Sequence, residues 1–349
     1  MNSNIFSKNT YSFLDNKYVP ALVGREAGIR LNQLARLLEA TSWPLFLTGP
    51  SGSGKTSMAM NAAKAYSQKM NVPAYYVQLS PEMTKTSLIL GLRLVEGSLR
   101  AVDGVVADCM RTGGILIVDE AAHTTHELLL MFNSVLDRTS VTSIGDRIIY
   151  SKETFRVIFC SNDSSYAGNV RLPQSFAQRM VAFYYDYPSY LSECEITKKI
   201  VEDECSLPII IPDSVINYIV SVLRGVRSDQ YPLSARNSAI VAVLLNLAAH
   251  NLPADSWKNI NLDTYFTDED TAEAKRMLIA SRILNKSQNL VTMEELMLPE
   301  ITEFESFVSQ IGLNNFRESF LSGCMYYLDV DGLELNQDTI RNTLANQII

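Results

Sequence analysis

Short apolar runs alternate with helix-like segments along the first half of the chain. Between the runs, apolar residues recur every three or four positions, which is the spacing of a helix that buries one face. Continuous apolar strands separated by such helices are typical of an open, mostly parallel sheet with helices packed on it. The pattern therefore predicts an α/β domain with five strands, at 45–47, 74–79, 115–118, 155–160 and 181–185.

Two segments interrupt this alternation. Residues 84–90 resemble a short helix, and 91–100, with glycines among apolar residues, predict a loop or hairpin before a helix at 102–110. Residues 141–150 have the β-rich character of a second hairpin, with Gly145-Asp146 at its turn. We expect both segments to project from the sheet.

Beyond Pro188 the spacing is helical, with helices expected at 189–205, 212–223, 233–251 and 270–286. The chain has 349 residues, 47% of them apolar, which suffices for about two domains. We divide it into an N-terminal arm at 1–22, an α/β domain at 23–188, an α-helical lid domain at 189–290 and a helical C-terminal extension at 291–349.

Charge, cysteine content and the length of apolar runs indicate the kind of partner and the location of the protein. A net charge of −8 favours protein partners over nucleic acid. The five cysteines form no Cys-x-x-Cys pair, so we expect neither a zinc site nor a disulfide framework, and the usage is typical of a cytoplasmic protein. The longest apolar run, 239–245, is too short to span a membrane, and the polar start of the chain lacks a secretion signal.

One motif fits a phosphate-binding loop at every fixed position. It follows the apolar strand at 45–47 and precedes a helix, which is the context that the pattern G-x-x-x-x-G-K-[ST] requires. Backbone N–H groups of such a loop surround phosphate oxygens, the lysine reaches the β- and γ-phosphates, and the threonine hydroxyl binds Mg²⁺. The cofactor expected here is therefore ATP with Mg²⁺, held by Gly49, Pro50, Ser51, Gly52, Ser53, Gly54, Lys55 and Thr56.

A second nucleotide signature ends the strand at 115–118. Asp119 and Glu120 follow four apolar residues, at the sheet edge where open α/β folds bind their ligands. Asp119 is expected to hold the Mg²⁺ shell, and Glu120 to orient and deprotonate the attacking water. A strand that simply ends in acidic surface residues is the alternative, and the loop at Gly49 argues against it.

Further polar residues near strand ends are weaker candidates. Asn162 leaves the strand at 155–160 and could position the water, although asparagine after a strand is more often a turn former. His123 and His126 are three residues apart, but their order is not that of a His-Glu-x-x-His zinc site. We interpret both histidines as polar residues at the start of a helix.

Taken in order, these motifs resemble an AAA+ ATPase, and more narrowly the MoxR group with its GvpN- and CbbQ-like members. The resemblance covers roughly 23–249 and departs at Gln178, where the group has an acidic residue, and after Glu120, where it often has Ile or Phe before Asn. The matching segments are 49–56, 117–120, 160–162, Tyr166-Ala167-Gly168, Leu172-Pro173 and Gln178-Arg179.

The resemblance implies roles that spacing alone does not give. Arg179 matches the arginine that such a subunit supplies to its neighbour's nucleotide, and Arg236 matches the arginine that contacts the γ-phosphate from the same chain. It also implies a ring of identical subunits, a hexamer, with the two inserted segments facing the pore or a partner. A protein substrate or a von Willebrand A-type adaptor is the partner expected.

Three functions remain open from the sequence. The first is an ATP-hydrolysing ring that remodels or assembles a protein partner, and the second is a nucleotide-gated scaffold with little turnover. The third is a nucleic-acid motor or loader, against which the net acidity counts. Wild-type ATP turnover by a Glu120→Gln variant would contradict the first function, and full cellular function of that variant would favour the second. Stimulation of ATPase activity by DNA would identify the third.

Overall fold

The computed structural model describes residues 19–95, 98–137, 141–144, 147–162, 172–227 and 232–250, with 303, 306–312, 315, 316 and 319. The chain divides into two units, Met1–Asp186 and Tyr187–Ile349. Some segments discussed in the sequence analysis lie outside the described residues: Gly145-Asp146, Tyr166-Ala167-Gly168 and 270–286.

Helices and strands alternate through the first unit. In chain order its elements are α1 (Arg25–Ala40), β1 (Leu45–Gly49), α2 (Lys55–Met70), β2 (Ala74–Gln78), α3 (Lys85–Ile89), β3 (Leu90–Val95), β4 (Ser98–Asp103), α4 (Val105–Thr112), β5 (Ile115–Asp119), α5 (His126–Leu136), β6 (Val141–Ile144), β7 (Arg147–Tyr150), β8 (Arg156–Asn162), α6 (Gln174–Ala177) and β9 (Val181–Tyr184).

Five of these strands form one sheet in the order β2-β5-β8-β1-β9, and each neighbouring pair is parallel. The predicted five-stranded α/β sheet is therefore confirmed. Because all five strands run the same way, their carboxyl ends lie side by side. We call this side of the sheet its carboxyl edge, and ligands bind there in folds of this kind.

The apolar run of β5 is explained by burial on both faces of the sheet. Successive side chains of a strand point to opposite faces. Ile117 lies in one apolar cluster with Tyr66 of α2, and Leu116 lies in the other with Phe132 of α5. All five residues of β5 are buried, so no alternation of polar and apolar residues is visible in the sequence.

The two inserted segments are antiparallel hairpins. β3 pairs with β4, and β6 pairs with β7, each as a separate two-stranded sheet. The expected helix start at Val102 is wrong, because Val102 and Asp103 continue β4 by pairing with Gly91 and Leu90. Helix α4 begins only at Val105.

The second unit contains three long helices, α7 (Tyr190–Glu204), α8 (Asp213–Val226) and α9 (Ala235–Ala249). Their apolar faces share one core, in which Val215, Ile219 and Leu245 are fully buried. Residues from much later in the chain belong to the same core: Phe307, Val308, Ile311 and Phe316.

A buried carboxylate joins two of these helices. Glu193 of α7 is fully buried and pairs with both Arg224 and Arg227, at the end of α8. The Arg227 guanidinium also stacks over the ring of Tyr187, 3.9 Å from its centroid. Among the residues of the described ranges, no helix has the length and apolarity needed to cross a membrane.

Candidate nucleotide site

The loop from Gly49 to Thr56 joins the end of β1 to the start of α2. Gly54 caps this helix in a left-handed conformation, with φ of +91°. The loop closes on itself, since the Ser53 amide donates to the Pro50 carbonyl at 3.3 Å. The sequence therefore places a tight turn directly before a helix N-terminus, where backbone N–H groups favour an anion.

At the start of the loop, the backbone of Gly49 lies close to the backbone of Tyr185. A Cβ atom on Gly49 would lie 2.0 Å from the Tyr185 carbonyl oxygen, and its φ is +148°. Only glycine fits there without a movement of the backbone. This glycine is thus required by packing as well as by any ligand.

Lys55 directs its ammonium group back into the loop. Its Nζ donates to the Gly49 carbonyl at 3.0 Å and to the Pro50 carbonyl at 2.7 Å, and lies 3.5 Å from the Ser53 hydroxyl. The residue is only 6% exposed. The loop therefore surrounds a buried positive charge, which would attract phosphate oxygens.

Thr56 and Asp119 meet although 63 residues separate them in sequence. The Thr56 hydroxyl donates to Asp119 Oδ2 at 3.0 Å, and Asp119 Oδ1 accepts from the Glu120 amide at 3.0 Å. A hydroxyl and a carboxylate are hard oxygen donors, the kind that Mg²⁺ prefers, so the two residues fit this metal. Within the described ranges no cluster of three His, Cys, Asp or Glu residues could hold a metal. Other ligands, such as phosphate oxygens and water, would have to complete the shell.

Tyr76 is a member of the site that the sequence analysis missed. It lies on β2, next to β5, and its hydroxyl donates to Asp119 Oδ2 at 2.9 Å. The signal that could have found it is positional: a tyrosine on a neighbouring parallel strand, two residues before the position paired with Asp119. That signal requires the strand register, which the sequence does not provide.

Glu120 follows β5 in an unusual backbone conformation. Its φ is +53°, one of two positive values among the described non-glycine residues. The turn is held by the Ala121 amide, which donates to the Cys160 carbonyl at 2.9 Å, and by the Ala122 amide, which donates to the Ser161 hydroxyl at 3.2 Å. Burial raises the pKa of Glu120, the Asp119 carboxylate raises it further, and His123 and Lys55 oppose these effects.

Asn162 lies beside the start of the phosphate loop. It ends β8, and the parallel register pairs it with Gly49 at the end of β1. The sheet thus brings the loop, Asp119, Glu120 and Asn162 to one edge, as the sequence analysis expects for ligand binding at strand ends.

Arg179 lies opposite the carboxyl edge, on the side of the same sheet where the strands begin. It precedes β9, whose Val181 pairs with Leu45 at the start of β1. The four residues from there to Gly49 rise roughly 13 Å along the strand, so Arg179 is remote from the phosphate loop of its own chain. Its Nε pairs with Asp137 Oδ1 at 2.8 Å, and its guanidinium also contacts the Ser175 carbonyl. Both charged residues line an open cleft of about 570 Å³ that also includes Trp43 and Gln178.

Arg236 belongs to the second unit, in the first turn of α9. Its side chain is exposed. The turn that carries it is held by the Ser234 amide, which donates to Asn237 Oδ1 at 3.0 Å. Ser234 and Asn237 are both buried, so they fix the backbone at the start of α9.

Among known protein families, residues 44–180 match the AAA domain family described as the dynein-related subfamily. An uncharacterized protein of Staphylococcus haemolyticus is 28% identical over 210 residues, covering 57% of this chain and 75% of that protein. An uncharacterized protein of Staphylococcus aureus has the same identity over the same shares of both chains.

Solved structures of NtrX from Brucella abortus are also similar. One has a TM-score of 0.49 at 17% identity, over 80% of this chain and 67% of NtrX. The complex of NtrX with ATP has a TM-score of 0.47 at 19% identity, over 84% and 69% of the two chains. The chain has the AAA+ P-loop fold, as the family match at 44–180 and the five parallel strands of the sheet indicate.

Proposed function

We propose that this protein hydrolyses ATP as an oligomer of identical subunits. The premise is that residues 44–180 form an AAA domain with the AAA+ P-loop fold. The oligomer would use this hydrolysis to remodel or assemble a protein partner, as the resemblance to the MoxR group implies. The observation that carries the proposal is the contact between Thr56 and Asp119, at 3.0 Å beside the loop around Lys55.

The loop and Lys55 would bind the phosphates. Lys55 already forms hydrogen bonds with loop carbonyls, and phosphate oxygens are stronger acceptors for an ammonium group than neutral carbonyls. We infer that Lys55 exchanges at least one of these contacts for the β- or γ-phosphate. Thr56 and Asp119 would hold Mg²⁺, which when bound neutralises charge on phosphate oxygens.

Glu120 would act as the general base. Proton acceptors work best when their pKa lies near the working pH, and burial next to Asp119 moves the pKa of Glu120 in that direction. Its left-handed backbone turns the residue out of the strand at the edge where Asn162 also lies. We assign Asn162 the task of orienting the attacking water.

The placement of Arg179 supports a shared active site. Its distance from the phosphate loop of its own chain leaves a neighbouring subunit as the place where it could reach a nucleotide. A ring, a hexamer by the MoxR resemblance, would repeat that contact at every interface. The role of Arg236 as a contact of the γ-phosphate rests on the resemblance alone.

A protein partner, with or without an adaptor of the von Willebrand A type, fits the net charge of −8 better than nucleic acid does. We propose a cytoplasmic location, which the cysteine usage of the sequence favours.

Glu120→Gln tests the proposal because it removes the base and keeps the shape of the side chain. We expect ATP turnover to fall at least about 100-fold, the usual contribution of a general base, while binding of a fluorescent ATP analogue stays within a few-fold of wild type. Steady-state phosphate release at saturating ATP and equilibrium fluorescence titration measure the two quantities.

Glu127→Gln is the matched control, since Glu127 is an exposed glutamate in the first turn of α5. It should keep wild-type turnover. If Glu120→Gln hydrolysed ATP at the wild-type rate, the assignment of the base would be wrong. A wild-type protein that bound ATP tightly without turnover would instead be the nucleotide-gated scaffold.

A further inference from the structure

We propose that Tyr76 is a positioning residue of the metal site: its hydroxyl holds the Asp119 carboxylate against Thr56 and thereby sets the affinity of the nucleotide site for Mg²⁺. The inference rests on the proposed function, because it concerns the same site. It adds a residue from outside both nucleotide motifs.

The strand register places Tyr76 where its side chain can reach Asp119. β2 is parallel to β5, and Gln78 is paired with Asp119, so Tyr76 lies two residues earlier on β2. Residues two apart on a strand share a face, about 6.6 Å apart along its axis. A tyrosine side chain spans this distance, and its hydroxyl lies 2.9 Å from Asp119 Oδ2.

Hydrogen bonds from three separate segments hold the Asp119 carboxylate. Oδ2 accepts from Thr56 of α2 and from Tyr76 of β2, and Oδ1 accepts from the amide of Glu120. A carboxylate has about four acceptor positions. These described contacts therefore use three of them and leave one on Oδ1 for a metal or its water.

Removal of the Tyr76 hydroxyl would loosen this arrangement. Oδ2 would keep only its bond from Thr56, and rotation about the last side-chain bond of an aspartate is broad and roughly two-fold. The threonine hydroxyl would then have to bind the metal while it alone orients the carboxylate. Groups that orient a metal ligand in this way typically contribute about 10–100-fold to metal affinity.

Tyr75 provides a matched control on the same strand. Its side chain points to the opposite face, and its hydroxyl donates to Asp108 Oδ2 at 2.9 Å. Tyr75→Phe therefore removes the same group, bonded to the same kind of carboxylate, away from the nucleotide loop. Any effect of a lost hydroxyl on folding alone appears in both variants.

The test is binding of fluorescently labelled ADP to the full chain at a fixed nucleotide concentration, titrated with MgCl₂. We expect Tyr76→Phe to raise the midpoint Mg²⁺ concentration about tenfold. Its affinity for ADP without Mg²⁺ should match that of wild type. Tyr75→Phe should have a midpoint within about twofold of wild type, and thermal unfolding without ligand verifies that each variant folds.

The inference is overturned if Tyr76→Phe keeps the wild-type midpoint, or if Tyr75→Phe shifts it equally. Wild-type protein that binds ADP without any dependence on Mg²⁺ also overturns it, and leaves nucleotide binding intact. Wild-type protein that binds no ADP contradicts the proposed function itself, and this inference with it.

Discussion

Gly49 lies where the end of β1 passes the backbone of Tyr185. The sequence motif assigns this glycine to phosphate binding, yet packing is a separate reason for it, because a Cβ atom would lie 2.0 Å from the Tyr185 oxygen. Gly54 differs, because a Cβ atom there would meet nothing within 4 Å, although its φ of +91° strains any other residue.

Stability of the two alanine variants distinguishes these effects. Gly49→Ala must displace backbone, so we expect a loss of about 3 kcal/mol or more in the free energy of unfolding. Gly54→Ala meets only the conformational penalty, about 1–2 kcal/mol. Urea unfolding followed by circular dichroism measures both. Equal losses would mean that the backbone near Tyr185 yields easily.

Residues of this site that belong to contiguous motifs were predictable from the sequence. Lys55, Thr56, Asp119 and Glu120 could be predicted because a loop before a helix and acids after a strand have a fixed local order. Tyr76 could not, because its contribution depends on which strand pairs with β5 and in which register. The pairing of Arg179 with Asp137 depends likewise on a contact 42 residues apart in sequence.

At the scale of elements, α7 and α8 are joined by the buried Glu193 and its two arginines. A buried ion pair adds little net stability when it is complete, but loss of one partner leaves buried charge without compensation. The side chain of Arg227 is only 11% exposed. Glu193 is thus expected to contribute to the stability of the second unit through its two arginine partners.

Glu193→Ala should therefore lower the free energy of unfolding by about 3–5 kcal/mol. The control is Lys199→Ala on the same helix, which breaks exposed pairs to Glu202 and Asp203 and should leave the free energy of unfolding nearly unchanged. Thermal unfolding by calorimetry measures both. A loss for Glu193→Ala as small as that for Lys199→Ala would contradict a structural role for the buried pair.

Element types were predictable from apolar spacing where a segment was long, and less so where the chain changes structure within a few residues. The five strands and the helices from α7 to α9 follow the expected pattern. The start of α4 does not, since one apolar residue followed by one polar residue, Val102 and Asp103, fits the spacing of a helix as well as that of a strand. Pairing with Gly91 and Leu90 decides between them.

At the scale of the whole molecule, the two ends of the sheet carry complementary parts of one proposed site. The phosphate loop lies at the carboxyl ends of the strands. Arg179 lies on the opposite side of the sheet, where the strands begin, next to the cleft with Trp43 and Asp137. A single subunit therefore does not place Arg179 at its own nucleotide. Neighbouring subunits would have to complete each other's sites.

Mixing two inactive variants tests this claim most directly. Glu120→Gln lacks the proposed base and keeps Arg179, whereas Arg179→Ala keeps Glu120 and lacks the arginine that we propose acts on a neighbour's nucleotide. An arginine in that role contributes about 10³–10⁵ to turnover. If subunits assemble at random in a 1:1 mixture, about a quarter of the interfaces combine an intact Glu120 with an intact Arg179 from the neighbour. A mixture of Glu120→Gln with the double variant contains no such interface and serves as the control.

The measurement is ATP turnover per subunit in the 1:1 mixture of Glu120→Gln and Arg179→Ala. We expect recovery to about a quarter of the wild-type rate, far above either variant alone and above the control mixture. A mixture no more active than its components would contradict a site shared between subunits.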